Sequence, residues 1–452
     1  MRDLIQDALR GHNADYVEAR LEEAVSSHIS YAGRDLEDIG ASSSRGGNAR
    51  ALVGGGWGFV SFNDLSHLRD KVALAVSQAR MVGGDRVSLA PVEPRVAIVP
   101  PHVVKDPTQI PLAVKKALLD EYNGIMLSVP AIHSASISYA DRNKTVYFAN
   151  SEGAYIEQGK IDVMIRLSAV ARDGADVQQA GVSLGSNGDF SFVEALRQDA
   201  RDVADKAARM LKAPQVKGGE YTVILDPVLA GVFIHEAFGH LSEADQLYDN
   251  DQLKDIMTLG SSVGGPHLNV VDGGAVGGLR GSYKYDDEGV PSTRTHLIRE
   301  GVLVGRLHSR ETASRMGEPP SGNARAISHQ FPPIVRMTNT FIEPGEVSLA
   351  DLLADVKEGI YASNWYGGMT SMEMFTFSAG EAYMIRNGRI EEMARPVMLS
   401  GNLFTTLRNL DAVGNDLDFN QGGGCGKGGQ SPLPVSNGSP HIRIRNCLVG
   451  GA

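Results

Sequence analysis

Two histidines and a glutamate crowd together at His235-Glu236-Ala237-Phe238-Gly239-His240. This His-Glu-x-x-x-His run is one residue longer than the pattern in which imidazoles at i and i+4 hold a zinc ion. In a regular α-helix five residues rotate a side chain by roughly 500°, leaving the two rings about 140° apart and unable to share an ion. A wider, π-type turn of about 4.4 residues brings i and i+5 within roughly 50° of each other, and such bulges occur at functional sites. The alternative is a helix that ends near Gly239, with His240 folding back from a loop. One of these distortions is predicted, and a glycine at 239 makes either cheap. With both imidazoles on one ion, Glu236 is placed to act as general base on a water whose pKa zinc lowers toward ~7.

Zinc needs a third protein ligand. Glu243, Asp245 and His267 are near in sequence, and Cys425 is distant, in Gly422-Gly423-Gly424-Cys425-Gly426-Lys427-Gly428-Gly429. Cys425 is favoured because flanking glycines let its backbone approach a metal closely and Lys427 could favour its thiolate. The glycine run is not a phosphate loop: position 421 is Gln where a Walker motif needs Gly, and Gly428 stands where Ser or Thr should follow Lys427. Cys447 reads as a buried small hydrophobe. Asp286-Asp287-Glu288, ahead of Gly289, reads as a turn rather than a Mg²⁺ site. His12, His28, His308 and His329 show no ligand spacing.

The elements around the motif are well signalled. Glu220 to Leu225 reads as a buried strand, Asp226 as an N-cap and Pro227 as the first helical residue. On that helix Val228, Val232 and His235 share one face, so His235 points into the core. Upstream, an amphipathic helix is expected over Asp15 to Ser26, then short strands, then a helix from Ser66 to Val82. A Pro-rich patch from Ala90 to Pro101 marks a boundary near residue 95. Beyond it come a helix near Leu112 to Tyr122, strands at 134–139, 145–150 and 161–170, and a long helix from Phe190 to Leu211. After Glu220 short strands and Gly/Pro turns favour a curved or barrel-like sheet. The expected fold is α+β: an N-terminal unit over 1–95, a middle one over 96–215, and a larger β-rich domain over 216–452 that carries the zinc helix.

Composition excludes several partners. At 452 residues the chain can bury a core without disulfides. A net charge of −11 with no long Lys/Arg cluster argues against nucleic acid. The best apolar stretch, Tyr221 to Ile234, is broken by Asp226 and Pro227, so no spanning helix and no membrane role are expected. Two cysteines and an N-terminus without a signal-peptide pattern point to a reducing cytoplasm.

Assembled, these features resemble the TldD branch of the TldD/PmbA (TldE) metallopeptidase family. The resemblance rests on His235 to His240, Tyr285-Asp286-Asp287-Glu288-Gly289-Val290-Pro291 and Arg336-Met337-Thr338-Asn339-Thr340. It rests also on Gly359-Ile360-Tyr361, Gly367-Gly368, Val413-Gly414-Asn415-Asp416-Leu417 and Cys425-Gly426-Lys427 with Gly429-Gln430-Ser431. These motifs keep the family's order over residues 220 to 452, whereas the first 210 residues match in layout more than in wording. The chain departs from the family at Leu241-Ser242-Glu243-Ala244-Asp245, where a more Gly-rich wording is expected. The resemblance implies His235, His240 and Cys425 as zinc ligands and Glu236 as catalytic base. It further implies an active subunit that cleaves unfolded or extended peptides inside a dimer, with itself or with a TldE/PmbA-type sister subunit lacking the motif. The competing expectation is a peptide-binding or scaffold subunit whose zinc is structural and closed by four ligands.

Overall fold

A computed structural model describes residues 1–83, 87–248, 250–371 and 373–451. In the first half, long strands carry the architecture: β1 (Tyr16–Ala32), β2 (Asp35–Val53), β3 (Gly56–Phe62), β4 (Val96–Val99), β5 (Ile132–Asn150), β6 (Tyr155–Asp173) and β7 (Asp176–Asn187). They form one sheet in the order β3-β2-β1-β5-β6-β4, with β7 also on β6. Helices α1 (Arg2–Leu9) and α2 (Leu68–Val82) close one core with Val17, Ala19 and Leu21. Helices α3 (Leu112–Leu127) and α4 (Arg197–Met210) close a second with Ile29, Ile137 and Ile165. The Pro-rich patch contributes β4, an edge strand parallel to β6, so segments from both sides of residue 95 share the sheet.

The helix expected over Asp15 to Ser26 is instead the first half of β1. Its cause is burial on both faces. Val17, Ala19 and Leu21 enter the core, while Glu18, Arg20 and Glu22 on the alternate face are buried in ion pairs with Arg50, Asp287 and Arg142. Paired charges at a two-sided strand remove the apolar/polar alternation that marks a half-exposed one. The expected Phe190 to Leu211 helix breaks at Leu196 into a 3₁₀ turn, Ser191–Ala195, and α4.

The second half is β-rich and contains a closed five-stranded barrel. Its strands run in the order Glu358–Ser371, β8 (Gly219–Leu225), Ile442–Gly451, Val397–Asn402 and Met374–Arg386, and the last pairs back onto the first. Beside it lies a six-stranded sheet whose members include Val270–Gly273, Asn339–Ile342 and Ser436–Ser439. Helix α5 (Pro227–Ile234) is apolar and buried from Leu229 to Ile234. Phe233 packs edge-on to Phe375 and Phe377 of a barrel strand. Gly231 brings the helix so close to Asn437 that a Cβ there would lie 3.0 Å from backbone. No helix among the described residues is long and apolar enough to cross a membrane.

Candidate metal centre

The chain reaches the centre through a short, well-terminated start. β8 ends at Leu225, and the Asp226 side chain accepts a hydrogen bond from the Leu229 N–H at 2.7 Å, with Pro227 in the first turn. The α-helical pattern gives way at His235, where a π turn spans His235–Gly239 and the His240 N–H donates to the His235 carbonyl. This is the first of the two distortions that the five-residue spacing predicts. Gly239 itself has ordinary helical angles (φ −58°, ψ −47°), so backbone freedom is not its contribution. Its bareness is: a Cβ would lie 2.1 Å from the Sδ of the buried Met337.

The two rings lie 5.3 Å apart at 80° to each other. The third group arrives on a hairpin, Gly424–Lys427 paired with Gln430–Pro434, which turns through Gly428 and Gly429 at positive φ. Arg336, fully buried, holds both arms of the hairpin: Nη2 donates to the Cys425 carbonyl at 2.6 Å and Nη1 to the Gln430 carbonyl at 3.2 Å. One nitrogen from each histidine and the Cys425 sulfur consequently lie within 4.8 Å of one another.

The donor set fits zinc on two observations. Cys425 Sγ and His240 Nε2 are 3.5 Å apart, and a tetrahedral ion with Zn–S of ~2.3 Å and Zn–N of ~2.0–2.1 Å spans an edge of about 3.5 Å between such donors. His235 Nδ1 is buried with no hydrogen-bond partner among the described residues, so nothing in the protein holds that ring nitrogen away from an ion. Glu236 lies on the open side: its carboxylate is 3.7 Å from His240 Nε2 and its side chain 34% exposed, whereas His235 and Cys425 are buried.

Charge is arranged around these donors. Burial raises the Cys425 pKa, but His235 and His240 outweigh it and bring the thiol down to about 5. Burial likewise opposes charge on His240, but its hydrogen bonds to Cys425 and Glu243 push its pKa up to about 11. Glu243, despite burial, is held down to about 2 by Lys427 and His240. Its carboxylate accepts from His240 Nδ1 at 3.1 Å, which directs Nε2 toward the sulfur.

The remaining candidates sort clearly. Lys427 does not reach the thiolate; it pairs with Glu243 at 3.0 Å and Asp245 at 2.6 Å, and the histidines lower the cysteine instead. Glu243 and Asp245 therefore form a layer behind His240. His267 bonds the Leu410 carbonyl at 2.6 Å, away from the centre. Asp286 closes a turn by accepting from the Glu288, Val290 and Ala324 N–H groups. Cys447 is buried, and burial pushes its pKa up to about 12. Arg336 went unnoticed in the sequence as a positioning residue, because a lone arginine carries no local sign that it will clamp a hairpin 89 residues away.

Comparison with known proteins places the chain in a family. Three family profiles match in succession: PmbA/TldA metallopeptidase domain 1 over residues 17–80, the central domain over 105–213 and the C-terminal domain over 218–451. A metalloprotease of Synechocystis is 47% identical over 97% of this chain and 95% of its own length. A metalloprotease of Methanothermobacter thermautotrophicus is 38% identical over 97% and 96%. A zinc metalloprotease TldD homolog of Saccharolobus solfataricus is 34% identical over 71% and 72%. Among solved structures, a putative modulator of DNA gyrase from Thermotoga maritima superposes with a TM-score of 0.79 at 20% identity, covering 96% of each chain. TldE from Thermococcus kodakarensis superposes with a TM-score of 0.76 at 17% identity over the full length of both. With its sequence covered almost throughout by these domains and relatives, the chain belongs to the PmbA/TldD metallopeptidase family.

Proposed function

We propose that this protein is a zinc-dependent peptidase that cleaves unfolded or extended peptides in the cytoplasm, with His235, His240 and Cys425 as ligands and Glu236 as catalytic base. The observation that carries the reading is the convergence of three donors with a part-exposed carboxylate beside them. Three protein ligands leave a coordination position open, as in catalytic zinc sites, whereas structural sites are closed by four. Zinc held there would polarise the scissile carbonyl and acidify a water molecule.

The protein's own groups supply the rest. Glu236 takes a proton on the solvent side and returns it to the leaving amine. Glu243 keeps Nδ1 of His240 protonated and Nε2 free for the ion. An extended substrate can use main-chain hydrogen bonds to a strand edge, which gives broad sequence preference. The active assembly is a dimer, with a second copy or with a TldE/PmbA-type sister subunit.

Metal analysis and peptide cleavage on three proteins test this. Wild type should bind about one zinc and lose cleavage with a chelator. Glu236→Gln should keep the zinc and lose at least about 10²-fold in kcat. Cys425→Ser should lose stoichiometric metal. Full activity in Glu236→Gln, or undiminished zinc in Cys425→Ser, defeats the assignment.

A further inference from the structure

The inner face of the N-terminal sheet and the hairpin that carries Cys425 enclose a second space, a cavity of about 390 Å³. That volume lies within the range of small-ligand sites, about 300–1,000 Å³. Its charged lining is unbalanced. Lys144 and Lys160 project from β5 and β6, and Arg325 faces them from the C-terminal half. Lys160 Nζ donates to the Arg280 carbonyl at 2.6 Å, and Arg325 Nη2 to the Pro434 carbonyl at 2.7 Å. Neither has a carboxylate within 4.0 Å among the described residues, and Lys144 reaches only Glu22, at 3.7 Å.

The acids at the wall are already engaged. Asp162 is bidentate with Arg280 at 2.6 and 2.9 Å, Asp141 is paired with Lys115 at 2.6 Å, and Asp287 with Arg20 at 3.0 Å. Asp286 is spent on three backbone N–H groups. The cations are thus one another's neighbours: burial, and then Arg325, press the Lys160 ammonium down to about 7, against the pull of Asp162. Arg325 is buried and the two lysines are half-buried, and like charges held together away from bulk water are disfavoured unless something anionic joins them. Apolar surface from Val146, Met164, Ile327 and Leu433 completes the lining.

We infer that this cavity is a binding site for an organic oxyanion, a carboxylate or phosphate on an apolar body, whose head is received by Lys160, Lys144 and Arg325. None of the three metal donors lines the cavity, and the inference does not depend on the peptidase reading. A carboxylate would come from a peptide or acid end, a phosphate from a phosphorylated small molecule.

Calorimetric titration with 3-phenylpropionate, its uncharged amide and phenyl phosphate distinguishes these, since none is a peptide and none can be cleaved by a peptidase. At least one oxyanion should bind wild type at least ten-fold more tightly than the amide, and the tighter of the two identifies the source. Lys160→Gln should weaken that binding about ten-fold or more, while raising the melting temperature of the ligand-free protein because one half-buried cation beside Arg325 is gone. If acid and amide bind alike, if neither oxyanion binds at millimolar concentration, or if Lys160→Gln binds as wild type does, the inference is wrong. A variant that binds less but melts lower than wild type overturns it as well, because loss of fold then explains the loss of binding.

Discussion

Glu243→Gln tests whether the layer behind His240 governs metal affinity. Four donors aim at this fully buried carboxylate: Lys427 Nζ at 3.0 Å, His240 Nδ1 at 3.1 Å, the Met337 N–H at 3.2 Å and Gln246 Nε2 at 3.3 Å. A glutamine keeps the size but offers one acceptor oxygen, so the Met337 N–H or the His240 side must go unmet. Breaking a buried ion pair outright costs about 3–5 kcal/mol. Lys427, however, keeps Asp245 at 2.6 Å and the Val335 carbonyl at 2.9 Å. The stability loss should therefore fall to about 1–3 kcal/mol, the cost of unsatisfied groups rather than of a stranded charge. Metal affinity should suffer more visibly, by about 10–100-fold, as when a ligating imidazole loses its outer acceptor. Competition against a chromogenic zinc chelator reads the affinity, and denaturant unfolding of the same samples reads the stability. Zinc affinity within about two-fold of wild type, in a variant that is folded, would refute the orienting role given to Glu243.

Two further substitutions probe the helix from its other end and its tight contact. Gly239→Ala forces a methyl into the Met337 Sδ at 2.1 Å, so overpacking should destabilise by about 1–3 kcal/mol; an unfolding midpoint equal to wild type would show that Met337 moves aside freely. Asp226, half-buried at the N-cap near Glu381 and His441, has its pKa pushed by loss of solvation from 3.8 up to about 6, against the hydrogen bonds from the Leu229 and Asn364 N–H groups. The folded protein thus holds this proton more tightly than the unfolded chain, and stability is lost as pH rises from about 4 through 6, by about 3 kcal/mol in all. Asp226→Asn keeps the acceptor for Leu229 but leaves the Asn364 N–H without one, so it should be about 1–2 kcal/mol more stable than wild type at pH 7.5 and lose that advantage at pH 4.5. A constant difference between the two proteins across that range would show that Asp226 stays ionised.

Much of the centre could be read from the sequence because it is local. Asp226, Pro227, the apolar run and the five-residue histidine spacing are all within fifteen residues, and together they demand a distorted turn. The β-rich second half and the helices after residue 60 were also legible, since period and punctuation are short-range signals. What failed was burial set by distant partners. Glu18, Arg20 and Glu22 look like the solvent face of a helix until Arg50, Asp287 and Arg142 arrive to pair with them. Lys427 looks like the cysteine's partner until Glu243 and Asp245, more than 180 residues earlier, claim it. Gly239 was expected for its backbone freedom and is used for its missing side chain, a contact that no local pattern announces.

The separation of Cys425 from His240 by 185 residues bears on what the ion is for. Where a metal holds a small domain together, ligands converge only when it binds, and its binding energy is spent on folding. Here each piece also has supports within the chain itself. The π turn continues a capped, buried helix, and the hairpin turns on two glycines suited to positive φ. Arg336 then docks the hairpin through backbone carbonyls, and Cys425 packs in the same core as Phe233, Phe238 and the barrel strands. A centre preorganised by packing and backbone hydrogen bonds leaves the ion's affinity free for ligand exchange at an open position. Such preorganisation is what the hydrolytic role proposed above requires of the three donors.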